Sequence, residues 1–418
     1  MFDNEIVSIE KKTINKLIIR FIPFLFLIFI FLGGERFMGN FTYSDMLNEL
    51  NLPLYWVGLA FGVSTLTFLI FAIPSNIIMH KVGTKIWLPF LILLWGITTV
   101  LTGFINNFYQ LIFLKALLGI AKAGIFPGIL LFITYWFPKK HLAKAFSLTF
   151  IGSIISFLVI HGMATLILRI TYGSYIHTWR WIFILEGILI IVIGITGYFI
   201  LRNNPNEADF LKDIEKNWLL EEMEKEKNKR EEINVFLNKG VWYLIICYIL
   251  FTFTFSVSQM FIYQPESIIS IISFVISIIA IVIISYHSDK VLERRYHAII
   301  PMGLAFLAIL APMFFNIGIY LKIFLLALII IGIYNYEIMF WTIPAGFLKG
   351  KSAAIGLAFI YVIGSLGGII FPVIFGNITS MMLVNTPNIG FIAWNFIMLL
   401  LLLILTLLTA FMPRDINS

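Results

Sequence analysis

Two lysines stand inside an apolar run long enough to cross a bilayer. Between about Tyr109 and Phe137 the chain reads Leu114-Lys115-Ala116-Leu117-Leu118-Gly119-Ile120-Ala121-Lys122-Ala123-Gly124-Ile125-Phe126-Pro127-Gly128. Lys115, Gly119 and Lys122 fall at i, i+4 and i+7, one face of a helix. A charge at membrane depth costs at least about 2.5–3.5 kcal/mol on insertion scales, so such residues face a bundle interior or a water-filled cavity. The glycines allow a neighbouring helix to come close, and Pro127 permits a bend. The stretch therefore reads as a cavity-lining helix with cations aimed inward. Cations so placed hold anions: a guanidinium grips a carboxylate in two places, and an ammonium supplies a point charge. The first apolar run ends in Glu35-Arg36, so Arg36 and Lys115 are the candidate carboxylate-binding cations. Two alternatives stay open: Arg36 neutralised by Glu35 or a neighbouring helix, and Lys115 snorkelling to the nearby outer end of its helix.

Other buried polar groups have weaker claims. Glu337, in Tyr334-Asn335-Tyr336-Glu337, lies deep in an apolar run, where a lone carboxylate is expensive. It is either functional or exposed towards the inner vestibule. Glu186 follows Arg180 near an outer helix end, which reads as structural pairing. His161 reads as a hydrogen-bonded interhelical histidine. Ser365, among Gly364, Gly367 and Gly368, is a candidate cavity residue beside close helix contacts. Lys122 has two readings: a pair with Glu35 or Glu337, or a second positive point favouring a dicarboxylate. The second is preferred, because Arg36, Lys115 and Lys122 outnumber Glu35. No nucleotide loop, nucleophile set or metal spacing appears, and the six histidines are dispersed. No enzyme activity, metal or cofactor is expected.

The elements that must position these residues follow from composition. Of 418 residues 60% are hydrophobic and 12% charged, and mean hydropathy is +0.98. A soluble domain of that length needs far more charge, so the chain is an all-α polytopic membrane protein. About twelve spans fit the bilayer thickness, at roughly 17–38, 54–79, 86–105, 109–137, 143–169, 181–201, 241–263, 267–286, 298–316, 319–345, 353–379 and 391–412. Basic residues collect in alternate loops, with Lys81 and Lys85, Lys139, Lys140 and Lys144, and Lys290, Arg294 and Arg295 on one side. The opposite side offers only Arg169, Arg180 and Lys322. The positive-inside rule puts both termini in the cytoplasm, and the net charge of +7 is a loop property that implies no nucleic-acid partner. No cleavable signal peptide is read before the first span. The lone cysteine, Cys247, reads as inert. Residues 1–201 and 241–418 form two six-helix halves, joined by a mixed-charge exposed helix within the cytoplasmic linker 202–240. Basic turns at Lys81–Lys85 and Lys290–Arg295 echo each other, which points to pseudo-symmetric halves.

An ordered series of motifs then resembles the major facilitator superfamily. Within it the chain looks like the anion:cation symporters that carry tartrate, phthalate and sugar acids. The series comprises Ile73-Pro74-Ser75-Asn76 with Lys81-Val82-Gly83, the lysine stretch above with Trp136-Phe137-Pro138, and Trp179-Arg180-Trp181 through Glu186-Gly187. Asn204-Pro205-Asn206-Glu207-Ala208-Asp209, Phe340-Trp341-Thr342-Ile343-Pro344 and Ile363-Gly364-Ser365-Leu366-Gly367-Gly368 continue it. The resemblance implies a substrate site between the halves and transport of a small organic anion by alternating access across the plasma (inner) membrane, with protons co-transported. A monomer embedded in the lipid bilayer is expected. Three departures stand out. Lys122 replaces the family's span 4 glutamate, Lys115 replaces its arginine, and Phe68 takes the place of a substrate-facing tyrosine. Proton coupling then falls first to Glu35, beside the presumed anion site, and second to Glu337. The alternatives are a proton-independent exchanger or facilitator and a transporter-like sensor without flux. The segment Gln264–Ser288 is also shorter than the family pattern.

Overall fold

The computed structural model describes residues 2–171, 173–228, 233–262, 268–314, 318–385 and 387–411. Side chains are described within these ranges except at 2–6, 36–38, 40, 54, 227–228, 260–262, 268–270, 312–314, 370–385 and 387–395. The Arg36 side chain, Gln264-Pro265 and Arg414 therefore lie outside the described residues. The elements are α1 (Phe2–Leu50), α2 (Leu54–Val82), α3 (Thr84–Thr102), α4 (Phe108–Ala123), α5 (Ile125–Trp136), α6 (Leu142–Ile170) and α7 (Thr178–Ile200). They continue with α8 (Asp213–Asn228), α9 (Lys239–Ile262), α10 (Ile268–Val291), α11 (Arg295–Phe314), α12 (Ile319–Phe347), α13 (Gly350–Asn385) and α14 (Pro387–Ala410). Among the described residues ten helices are long and apolar enough to span a bilayer, and Arg295–Ala311 and Phe396–Ala410 are shorter apolar helices. Helix thus occupies each of the twelve expected places. Ile70, Phe113, Phe199 and Ile283 lie exposed on the helix flanks, an arrangement that lipid favours and water penalises.

Two local departures from a plain span shape the site. α1 continues to Leu50, well beyond the expected end of span 1 at residue 38, so the helix carries polar residues past that end. The fourth span is split at Gly124 into α4 and α5. Pro127 has no N–H to give the Ala123 carbonyl, and its ring crowds that oxygen, so the ladder breaks four residues upstream. It resumes when the Gly128 N–H reaches the Gly124 carbonyl at 3.0 Å.

The chain divides into two compact units. The first comprises Met1–Pro138, Leu148–Arg230 and Lys349–Ala358. Its core is aromatic: Phe29 stacks on Phe150 at 4.6 Å between ring centroids, and Phe21 lies 4.6 Å from Trp136. α3 and α7 touch backbone to backbone, because a Cβ on Gly187 would lie 2.6 Å from the Val100 nitrogen and 2.7 Å from the Gly96 carbonyl. Charge pattern alone suggests that α8 is an exposed connector, yet its first turn is seated on α1. Lys16 Nζ donates to Glu215 at 2.6 Å, and Leu219 is fully buried. Burial pushes the Glu215 carboxyl up, but the Lys16 ammonium and the Lys212 N–H outweigh it and hold the group below the ordinary glutamate range.

The second unit comprises Lys139–Ser147, Glu231–Leu348 and Phe359–Ser418. Tyr248 stacks on Phe340 at 5.1 Å and meets Trp341 edge-on at 4.8 Å. In the basic turn after α10, Arg294 bonds Asp289 at 2.6 Å, and Asp289 accepts the Ala143 and Lys144 N–H groups at 3.1 and 2.8 Å. Those amides belong to the first turn of α6, where unpaired N–H groups favour a carboxylate.

Candidate functional site

Asn107 caps α4 by accepting the Gln110 N–H at 3.0 Å, which sets the register of the lysine face. Lys115 is 3% exposed, so it does not snorkel; its neighbours close over it. Its Nζ donates to Tyr43 Oη at 3.4 Å and lies 5.2 Å from the Phe61 ring centroid, 5.7 Å from Tyr43 and 6.0 Å from Phe183. Aromatic faces attract the ammonium through their quadrupoles. Among the described residues no carboxylate stands within ion-pairing distance of it.

Lys122 forms an ion pair with Glu35 and sits 5.0 Å from the Trp95 ring. Of its two readings, the preferred second free cation is corrected here: the pair is what the helices make. Glu35 stands where α1 faces α4, and neither ion could be buried there at reasonable cost without the other. Glu186, 3% exposed, enters from α7. Glu35, Tyr43, Trp95, Thr99, Thr102, Lys115, Leu118, Phe183 and Glu186 surround a cavity of about 10 Å³, roughly the room one water needs.

The expected pairing of Glu186 with Arg180 is not formed. Arg180 instead bonds Glu49 through Nε at 3.1 Å and Nη2 at 2.9 Å, while Trp179 Nε1 donates to the same carboxylate at 2.6 Å. Positions six apart on a helix differ by about 240° in direction, so one partner cannot serve both. That spacing was the available signal for Glu186. Nothing signalled Glu49, which lies past the expected end of span 1. Burial alone would push Glu49 up, but the hydrogen bonds from Arg180 and Trp179 hold it below the ordinary glutamate range.

The remaining candidates have their own surroundings. Phe68 is half-buried on α2. Within the second unit, Glu337 accepts from Tyr248 Oη at 3.5 Å, and Ser365 donates to the Val362 carbonyl at 2.8 Å. His161 packs its ring against Phe41 at 5.1 Å and Phe157 at 5.6 Å.

Apolar helices of bilayer length with exposed apolar flanks define a polytopic membrane protein. The chain matches the model of the Major Facilitator Superfamily over residues 25–372, and it belongs to that family. It is 28% identical over 433 residues to the "Putative tartrate transporter" of Agrobacterium vitis, covering 96% of this chain and 92% of that one. It is 27% identical over 390 residues to the "Putative metabolite transport protein NicT" of Pseudomonas putida, covering 89% of each. The solved structure of the proton:xylose symporter XylE superposes with a TM-score of 0.74 at 14% identity, covering 96% of this chain and 97% of that one. At that identity the likeness speaks for the fold alone. The protein is a secondary transporter in a lipid bilayer, not an enzyme.

Proposed function

We propose that the protein moves a small organic anion, a carboxylate, by alternating access, together with protons. One observation carries the reading: Lys115 is a buried ammonium held by a hydroxyl and three aromatic rings, with no carboxylate in ion-pairing distance among the described residues. A cation so costly to bury unpaired is best explained by a ligand that pairs it. The "tartrate" in the name of the Agrobacterium vitis relative supports a carboxylate. With Lys122 neutralised by Glu35, Lys115 and Arg36 are the cations that serve the substrate. The basic loops support cytoplasmic termini in a plasma (inner) membrane, with six-helix halves at 1–201 and 241–418 around the linker 202–240. Lys122 in place of the family's acid favours a second reading, proton-independent exchange. Uptake of a panel of labelled carboxylates into proteoliposomes, with and without a pH gradient, tests both. Accumulation only with the gradient supports symport, gradient-independent exchange supports the second reading, and binding without flux of any acid refutes transport.

A further inference from the structure

The cluster holds two ammoniums, Lys115 and Lys122, and two carboxylates, Glu35 and Glu186. Glu35 is held by Lys122. The Glu186 carboxylate lines the cavity and receives no hydrogen bond among the described residues. α7 packs on α3 and α1. α3 presents Thr99 and Thr102 to the cavity, neither titratable, and α1 presents Glu35 and Tyr43. Among the described residues the cations acting on Glu186 through space are Lys122 and Lys115, both from α4.

We infer that Glu186 carries the symported proton, and that Lys115, across the same small cavity, acts on the Glu186 carboxylate through space when the site is empty and pairs with the substrate carboxylate when it is filled. This rests on the carboxylate-transport reading. With all four groups ionised, the described cluster is neutral. With the Arg36 charge counted, entry of a dianion such as tartrate leaves one negative charge in a poorly solvated space, where an uncompensated charge is expensive. A hydronium ion on the proton-rich side gives its proton to Glu186, forming an O–H bond and leaving water, and the positive field of Lys115 is left to the substrate. On the other side the O–H bond breaks, the proton passes to water, the anion leaves, and Lys115 again acts on the Glu186 carboxylate through space. Glu35 keeps Lys122 throughout, which leaves Glu186 as the cluster's free proton acceptor.

Full-length protein in proteoliposomes provides the test through two readouts. Infrared difference spectra between acid and alkaline buffer, taken without substrate, should show the carbonyl stretch of a protonated, buried carboxylic acid. That band should vanish in Glu186→Gln and persist in Glu35→Gln and Glu337→Gln. Its absence from the wild type, its survival in Glu186→Gln, or its loss in Glu35→Gln alone overturns the assignment. With labelled tartrate as the probe, Glu186→Gln should cut accumulation driven by an inward proton gradient by at least about tenfold, with a much smaller fall in counterflow. Glu186→Asp should recover part of the accumulation, which a folding defect would not allow. Equal losses in accumulation and counterflow overturn the assignment. A wild-type protein that moves neither tartrate nor any other carboxylate refutes the transport reading instead, and the infrared band then decides Glu186 alone.

Discussion

Replacing Lys115 by methionine separates an anion receptor from a structural cation. The substitution keeps the length and apolar stem of the side chain, so the packing under Tyr43, Phe61 and Phe183 survives. What disappears is the ammonium and its 3.4 Å bond to Tyr43 Oη. A hydrogen bond to a charged group contributes about 1.5–3 kcal/mol. At about 1.4 kcal/mol per factor of ten, losing it should weaken carboxylate binding roughly 10- to 150-fold. Stability of the ligand-free protein should move the other way or stay level. Lys115 has no paired carboxylate to orphan, and removing an unpaired buried charge relieves desolvation. Binding of labelled carboxylates to detergent-solubilised protein measures the first quantity, and its thermal unfolding without ligand measures the second. Unchanged affinity would falsify the anion contact. A sharp drop in ligand-free melting temperature would show that Lys115 holds the bundle together.

Three further outcomes follow from neighbouring contacts. Glu35→Gln strands Lys122, and with Glu35 30% exposed the cost is put at about 1–3 kcal/mol, below the value for a fully buried pair. The charge-swapped Glu35→Lys/Lys122→Glu protein should recover most of the melting temperature, whereas additive losses would deny the pair. Gly187→Ala places a Cβ 2.6 Å from the Val100 nitrogen, so it should cost about 1–3 kcal/mol by overpacking; an unchanged unfolding curve would mean that α3 and α7 separate easily. Glu49 has its folded pKa depressed, so its contribution is present above the ordinary glutamate value and fades as pH falls through the folded one. Glu49→Gln should therefore melt lower at neutral pH and lose less of its stability on acidification than the wild type. Parallel acid curves for the two proteins would count against the Glu49–Arg180 contact.

Run length and periodicity determined much of this protein. Apolar runs of bilayer length made the chain a helical membrane protein, and the i, i+7 spacing put Lys115 and Lys122 on one face of α4. Pro127 marked the helix break that appears at Gly124. The partners of those side chains were not legible. Lys122 had two candidate acids, and only the meeting of α1 with α4 selected Glu35. Tyr43 and Glu49, which hold Lys115 and Arg180, sit on the part of α1 beyond the expected span 1, where hydropathy gives no sign of a buried face. Glu186 joined the cavity instead of Arg180, and the charged α8 rested its first turn on Lys16. A helix's own pattern sets the direction of each side chain about its axis. Which helix lies opposite is decided by close backbone approaches such as Gly96 against Gly187, and those join residues far apart in the chain.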